Sequence, residues 1–408
     1  MVTMSEQQHK PIKVAFGSVP KDSGTFTFYR NIRPALAARG ISLYCVTVGK
    51  PQSDLWEEAY VDDGCVRLAE RSLSMKRQAQ AFTKWCIDND IDCVMAINSE
   101  GILSAIPHLP ARMRVLSRCA NAFDHGYRIT MSGRERLARI VALTPRLRDD
   151  LVADYGADPA KIVLIPNGIK ASKFEAAAQR KRGTGARLEL GFLGRLEHNQ
   201  KGVMYLPAIV DALKARGVPF RLRIAGKGVD RARLEEAMAS HLSEGSVEFV
   251  GALTPDEIPQ FLGETDIYLF TSHFEGCPNA LLEAMMAGCV PVCGLISGIT
   301  DFLIETGHTG FIEKLGDAEG FADVIARLHE DRPKLAALSQ AVGAEARVQY
   351  TDEVAANAYS GMIRDVMSEP PPEWTPRPWG AFKPDPNFPG YWRQRIPAGL
   401  KTFLRKFR

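Results

Sequence analysis

Short runs of β-branched and apolar residues alternate along this chain with stretches of helical period, and the alternation runs twice. Candidate strands at 12–17, 41–48, 92–97, 112–119, 140–143 and 161–165 are followed by a second series at 188–193, 220–225, 247–250, 266–270, 290–293 and 309–313. Such a βαβα succession calls for parallel sheets covered by helices on both faces, because parallel neighbours are joined through long crossovers. Between the series lies 171–186, rich in Ala, Lys, Arg and Gly and without hydrophobic pattern, which marks a linker. The 408 residues suffice for two domains, each with its own core. The expected fold class is therefore α/β, with two Rossmann-like, doubly wound domains at 1–170 and 186–345 facing each other across a cleft. A C-terminal helix at about 345–367 is expected to pack back on the first domain. Ligands of open parallel sheets bind beyond the strand carboxyl ends at topological switch points, so the cleft is the expected site.

Composition narrows the function class. The chain is 45% hydrophobic and 24% charged, and no apolar run approaches the ~18 residues of a membrane span. The first ten residues are polar and lack the features of a secretory signal, so a cytoplasmic, reducing location is expected. Eight cysteines within mostly apolar runs fit buried thiols in that setting. Cys289 and Cys293 have no partner pair at metal-site spacing, and no metal site is expected. A net charge of +3 is too mild for a nucleic-acid binder. Nine arginines at 112, 114, 118, 128, 134, 136, 139, 146 and 148 could instead hold an anionic acceptor or lipid headgroups, or form a solvated face. From 369 to 408 a Pro-rich strap gives way to a basic aromatic tail, whose residues 391–408 carry six cations and no acid. That tail either contacts an anionic membrane surface peripherally or packs on the body of the protein.

The most informative stretch is Asp266–Val292, which reads as strand, tight loop, helix, strand. Pro278 suits a helix start and Gly288 a left-handed stop, so a helix is expected over about 278–287. Its N-terminus offers free N–H groups and a partial positive charge beside a strand end, a setting that suits a phosphate. Glu283 lies roughly 7.5 Å further along the axis at ~1.5 Å per residue, where a carboxylate can accept from two ribose hydroxyls. Glu275 stands on the loop before the helix, within reach of a sugar hydroxyl or a developing positive charge.

In this frame the sequence resembles the retaining glycosyltransferases of family four, which have the GT-B fold. Glu275-Gly276-Cys277-Pro278-Asn279-Ala280-Leu281-Leu282-Glu283, continuing to Gly288 and Val292, matches the family's pattern of two glutamates separated by seven residues. The segment Gly191 to Gly202, with Gly194, Arg195 and Lys201, resembles the family's phosphate-binding loop. Further landmarks are Leu222–Gly228 with Gly226, Val247–Gly251, Ile140–Leu151 and Val163–Gly168. The resemblance implies that Arg195, Lys201, Glu283 and the segment Gly276–Leu281, with Gly194 and Gly226, hold a nucleotide-sugar donor. It assigns Glu275 a catalytic place and implies transfer with retention, no metal and no cofactor. Two cations and a helix N-terminus can stabilise the charge of a departing nucleoside diphosphate as it develops. No Asp-x-Asp motif of metal-dependent transferases is present.

The loop after the first strand carries Ser23-Gly24 where the family has a doubled Gly facing the diphosphate or acceptor. The family also places a His after a first-domain strand near the donor sugar; His125 is one candidate for that place and the segment Cys119–Asn121 another. The resulting expectation is transfer of a hexosyl group from a UDP- or GDP-sugar to a glycan or lipid-linked acceptor in envelope or exopolysaccharide biosynthesis. Such an enzyme would be cytoplasmic, with peripheral contact on the inner face of the plasma membrane if the tail binds lipid. The alternatives are a nucleotide-sugar epimerase or phosphorylase on the same fold, or a non-catalytic nucleotide-sugar-binding partner.

Overall fold

A computed structural model describes residues 10–388 apart from 22, 49–55, 57 and 70–72. Its first sheet contains β1 (Ile12–Gly17), β2 (Ile41–Thr47), β3 (Cys65–Arg67), β4 (Cys93–Ala96), β5 (Arg114–Cys119), β6 (Leu137–Ala142) and β7 (Ile162–Leu164), in the spatial order 3-2-1-4-5-6-7. The second contains β8 (Leu188–Leu193), β9 (Phe220–Ala225), β10 (Val247–Gly251), β11 (Ile267–Phe270), β12 (Val290–Gly294) and β13 (Phe311–Glu313), in the order 10-9-8-11-12-13. Every pairing between these strands is parallel. Central strands such as β4 and β12 are buried along their whole length, which explains why they read as continuous apolar runs rather than alternations. The strand order reverses between β1 and β4 in one sheet and between β8 and β11 in the other. Both reversals open a crevice at the carboxyl ends, and these are the ends that meet.

The hydrophobic core of the first sheet continues across the domain boundary. Phe16, Val94 and Leu116 share one buried cluster with Leu281, Leu282 and Met285 of the second domain and with Tyr359 and Ile363 near the C-terminus. A separate cluster on the other face of the second sheet joins Leu190, Leu222 and Val292 to Ile209, Leu213 and Phe321.

The single helix expected at about 345–367 is two. Helix Arg332–Gln349 ends at Tyr350, and helix Asp352–Ser368 starts from Thr351, whose extended backbone and hydroxyl cap the Val354 N–H. The second of these packs on helix Gly24–Ala37, through Tyr359 against Phe28 and an Arg39–Glu353 ion pair of 2.6 Å. After Glu369 the Pro-rich chain is extended along the first domain as a strap. The Arg377 N–H donates to the Pro107 carbonyl, the Trp379 ring stacks on His108 at 4.1 Å, and the Asp385 N–H donates to Ser104. The basic tail at 391–408 lies outside the described residues. Among the described residues no helix is long and apolar enough to cross a membrane.

The arginine-rich stretch does not form one face. Arg114 and Arg136 are buried on backbone carbonyls, Arg128, Arg146 and Arg148 pair with Asp124, Asp150 and Asp149, and Arg139 pairs with Glu369 of the strap. Residues that lie close in sequence point to different sides of a strand or helix and find separate partners.

Candidate functional site

A cleft of about 680 Å³ lies where the two sets of strand carboxyl ends face each other. From the first domain it is lined by Lys21, Ser23, Gly24, Asn98, Arg118 and Ala120–Phe123. From the second it is lined by Gly194, Arg195, Gln200, Lys201, Phe274–Ala280 and Glu283. Asn98 follows β4 at the switch point, where its side-chain oxygen accepts from the Ser18 hydroxyl at 3.1 Å.

The loop after β8, expected from the sequence to bind phosphate, is built by a short helical turn, His198–Lys201, that stops at Gly202 in the left-handed conformation. It is fixed to the end of β11. The Thr271 hydroxyl donates to the Lys201 carbonyl at 2.9 Å, the His273 N–H donates to the Gln200 carbonyl at 2.8 Å, and the His273 ring bonds the Tyr205 hydroxyl and the Asn199 carbonyl. This frame aims Lys201 into the cleft, where its Nζ lies 2.5 Å from Glu275 Oε1. The pair is largely shielded from water, with side chains 17% and 9% exposed, so each charge depends on the other. Arg195 is more open, at 64% exposure, and is held by Glu197 and Gln200.

Helix Asn279–Met286 starts one residue later than expected, with Pro278 as its cap residue in extended conformation. Its N-terminus therefore opens into the cleft beside Gly276–Asn279. Glu283, one turn along, lines the same space, and burial pushes its carboxyl up to about 7, opposed by the charge of Lys173.

Across the cleft the first domain grips this loop. Gly276 sits so close to the Ala120 carbonyl that a Cβ there would lie 1.9 Å from the oxygen. The Thr144 hydroxyl donates to the Gly276 carbonyl at 3.0 Å, and the Asn167 amide donates to the Cys277 carbonyl at 3.1 Å and to Asn279 Oδ1 at 2.6 Å. Asn167 in turn accepts from Arg118.

The structure thus brings together Arg195, Lys201, Glu275, Gly276, Cys277, Pro278, Asn279, Ala280, Glu283, Gly194, Ser23 and Gly24. Ser23 also caps helix Gly24–Ala37 by accepting from the Phe26 N–H. Three other expected residues are elsewhere. Leu281 is fully buried in the core. Gly226 stands behind the loop after β8, where the Gly194 carbonyl would be 1.8 Å from a Cβ, so it admits the loop rather than a ligand. His125 is exposed on helix Asp124–Thr130, edge-on to Phe388 of the strap, and does not line the cleft; Ala120 and Asn121 do. Asn98 was not singled out from the sequence and Arg118 was read there only as one of nine arginines that could hold an anion, although both stand at carboxyl ends of strands beside the switch point.

Residues 187–331 match the family described as glycosyl transferases group 1, and residues 23–173 match glycosyltransferase family 4; together the matches span well over half of the chain. The chain belongs to the group 1 glycosyl transferases. Glycogen synthase of Mycobacterium tuberculosis (strain ATCC 25618 / H37Rv) is 31% identical to this glycosyl transferase over 192 residues, 47% of this chain and 45% of that protein. The amylovoran biosynthesis glycosyltransferase AmsK of Erwinia amylovora is 33% identical over 149 residues, 35% of this chain and 36% of its own. The match therefore spans less than half the length of these curated relatives. A glycosyltransferase structure from Rickettsia africae ESF-5 superposes with a TM-score of 0.73 at 15% identity, covering 89% of this chain and 100% of that one. Anabaena Alr3699/HepE in complex with UDP and glucose gives 0.69 at 19% identity, covering 87% and 100%. These likenesses establish the fold of this glycosyl transferase as GT-B.

Proposed function

We propose that this glycosyl transferase moves a hexosyl group from a UDP- or GDP-sugar to a glycan or lipid-linked acceptor, with retention at the anomeric carbon and without a metal ion. The Lys201–Glu275 pair in the mouth of helix Asn279–Met286 carries this reading. A donor diphosphate at that helix start would draw Lys201 partly away from Glu275, leaving the carboxylate free to face the sugar. Arg195 and Lys201 then supply the counter-charge as the nucleoside diphosphate departs, the work a metal does in other transferases. Glu283 accepts from the ribose hydroxyls once it is ionised. The crystallised complex of Alr3699/HepE with UDP and glucose and the amylovoran role in the name of AmsK support a uridine donor and an envelope or exopolysaccharide product. The basic aromatic tail supports a cytoplasmic enzyme in peripheral contact with the inner face of the membrane, where a lipid-linked acceptor is found.

The test is a binding and hydrolysis screen of UDP-, GDP- and ADP-sugars in the presence of a metal chelator, on the wild type and on Lys201→Ala and Glu283→Ala. The expected result is tight binding of one nucleotide class, weakened by both substitutions; no binding to any of them sinks the reading. Proton NMR of the product formed with the turned-over donor reports retention or inversion directly.

A further inference from the structure

We propose that Arg118 is a substrate-binding residue whose guanidinium takes a phosphate oxygen of the ligand in the cleft. It is the penultimate residue of β5 and borders the cleft while being only 3% exposed. Its orientation is fixed on three sides. Nε donates to the Tyr359 hydroxyl at 3.1 Å, Nη2 donates to Asn167 Oδ1, and the guanidinium carbon lies 4.0 Å from the centre of the Phe28 ring. None of these neighbours carries a negative charge. Among the described residues the partners of Arg118 are the neutral Tyr359 and Asn167 rather than a carboxylate, and Nη1, shielded from water, has no hydrogen-bond partner there.

A buried cation without counter-charge is costly, and the cost is sustained where something else cancels it. Two other buried arginines are compensated in place, and a third, Arg136, donates to the Pro110 and Met113 carbonyls and does not line the cleft. Arg223 pairs with Glu264, and Arg182 donates to the Ala287 carbonyl at the C-terminal, negative end of helix Asn279–Met286. Arg118 has neither kind of partner; what it has is the cleft. A planar, permanently charged fork held rigid by neutral anchors suits a phosphate.

The connection to the other domain says which way the ligand lies. Asn167, which accepts from Arg118, also donates to Asn279 and Cys277 at the start of the helix where the donor diphosphate is placed above. Arg118 thereby becomes a third cation for the anion, contributed by the first domain, whereas Arg195 and Lys201 come from the second. This assignment rests on the proposed donor site.

The experiment compares wild type, Arg118→Gln, Arg118→Lys and Lys201→Ala by titration calorimetry with UDP, GDP, inorganic pyrophosphate and the free nucleosides, with melting temperatures recorded alongside. Arg118→Gln is expected to weaken nucleoside diphosphate and pyrophosphate at least ~10-fold, Arg118→Lys only about threefold, and neither is expected to alter nucleoside binding. Inorganic phosphate is then titrated with the nucleoside diphosphate saturating; a loss in this arm alone moves the bound anion to the acceptor side and still supports the role of Arg118. Unchanged anion affinity in Arg118→Gln overturns the proposal. So does an equal loss in the Gln and Lys variants that tracks an equal fall in melting temperature, since that marks a purely structural role. If the wild type binds no nucleoside diphosphate the donor-site reading itself fails, whereas weakening by Lys201→Ala with no weakening by Arg118→Gln in any arm, inorganic phosphate included, removes only the Arg118 assignment.

Discussion

On the proposed function, Glu283 ties donor binding to pH. Its folded pKa of about 7 stands above an ordinary value of 4.5, because burial disfavours the ionised form. A carboxylate accepts two ribose hydroxyls better than a carboxylic acid does, so nucleotide affinity is expected to rise from pH 6 to pH 8. In Glu283→Gln it should be weaker and flat over that range, as calorimetry at several pH values would show. The stability effect has the opposite sense. Between pH 4.5 and 7 the folded state binds the proton that the unfolded state has released, so this group's contribution falls as pH rises, by at most about 3 kcal/mol. Glu283→Gln should therefore melt higher than wild type at pH 8 and lose that advantage near pH 4.5. Glu283, Glu275 and Lys201 were legible in the sequence because each belongs to a contiguous motif. Arg118 was legible only as one of nine arginines and Asn167 only inside the Val163–Gly168 landmark: their places beside the cleft depend on contacts with Tyr359, Cys277 and Asn279, which only the folded chain creates. His125 shows the converse, since a histidine a few residues past a strand need not turn toward the cleft, and this one faces the strap.

Elements were legible where hydrophobic pattern and punctuation agreed. β8 and β9 have the expected bounds, and the donor helix stops at Gly288 as expected. β3 escaped because it has three residues at a sheet edge, too few to show a period, and the break at Tyr350–Thr351 escaped because one capping threonine inside a helical pattern is a weak local signal. The turn His198–Lys201 offers a test at this scale. Gly202 has φ of +62°, and a Cβ would fall 1.9 Å from the Thr271 carbonyl oxygen, a backbone atom with nowhere to go. Gly202→Ala should displace Lys201 from the cleft by shifting the turn off β11, adding roughly 1 kcal/mol of left-handed strain to the clash. Nucleotide affinity is then expected to drop about as far as in Lys201→Ala, ~10-fold or more, with the far-ultraviolet circular dichroism of the wild type retained. Full affinity in that variant would show that the turn does not position the lysine.

At the scale of the whole molecule, what has to be explained is how two sheets with their own crossovers come to share one site. The rhythm of the sequence announces two domains, but the contacts that close the cleft join residues more than a hundred positions apart: Thr144 with Gly276, Asn167 with Cys277 and the Arg146 N–H with the Gly298 carbonyl. The first two of these bonds place the grip of the first domain on the same loop that carries Glu275, and the third ties it to the loop after β12. On the proposed function, closing the cleft and assembling the groups around Glu275 are one event, and a tight point of it is Gly276 against the Ala120 carbonyl. Gly276→Ala needs no unusual backbone angle, so its effect is steric and falls between the domains rather than within either. The domains are expected to part, with the radius of gyration from small-angle scattering rising by about 1 Å and turnover falling at least ~10-fold. Gly361→Ala, in a helix with open space around the added methyl, is the matched control and should leave scattering and turnover unchanged while adding about 0.5–1 kcal/mol of stability. If Gly276→Ala scatters and turns over as the wild type does, the close approach at Ala120 is not what holds the cleft in its working form.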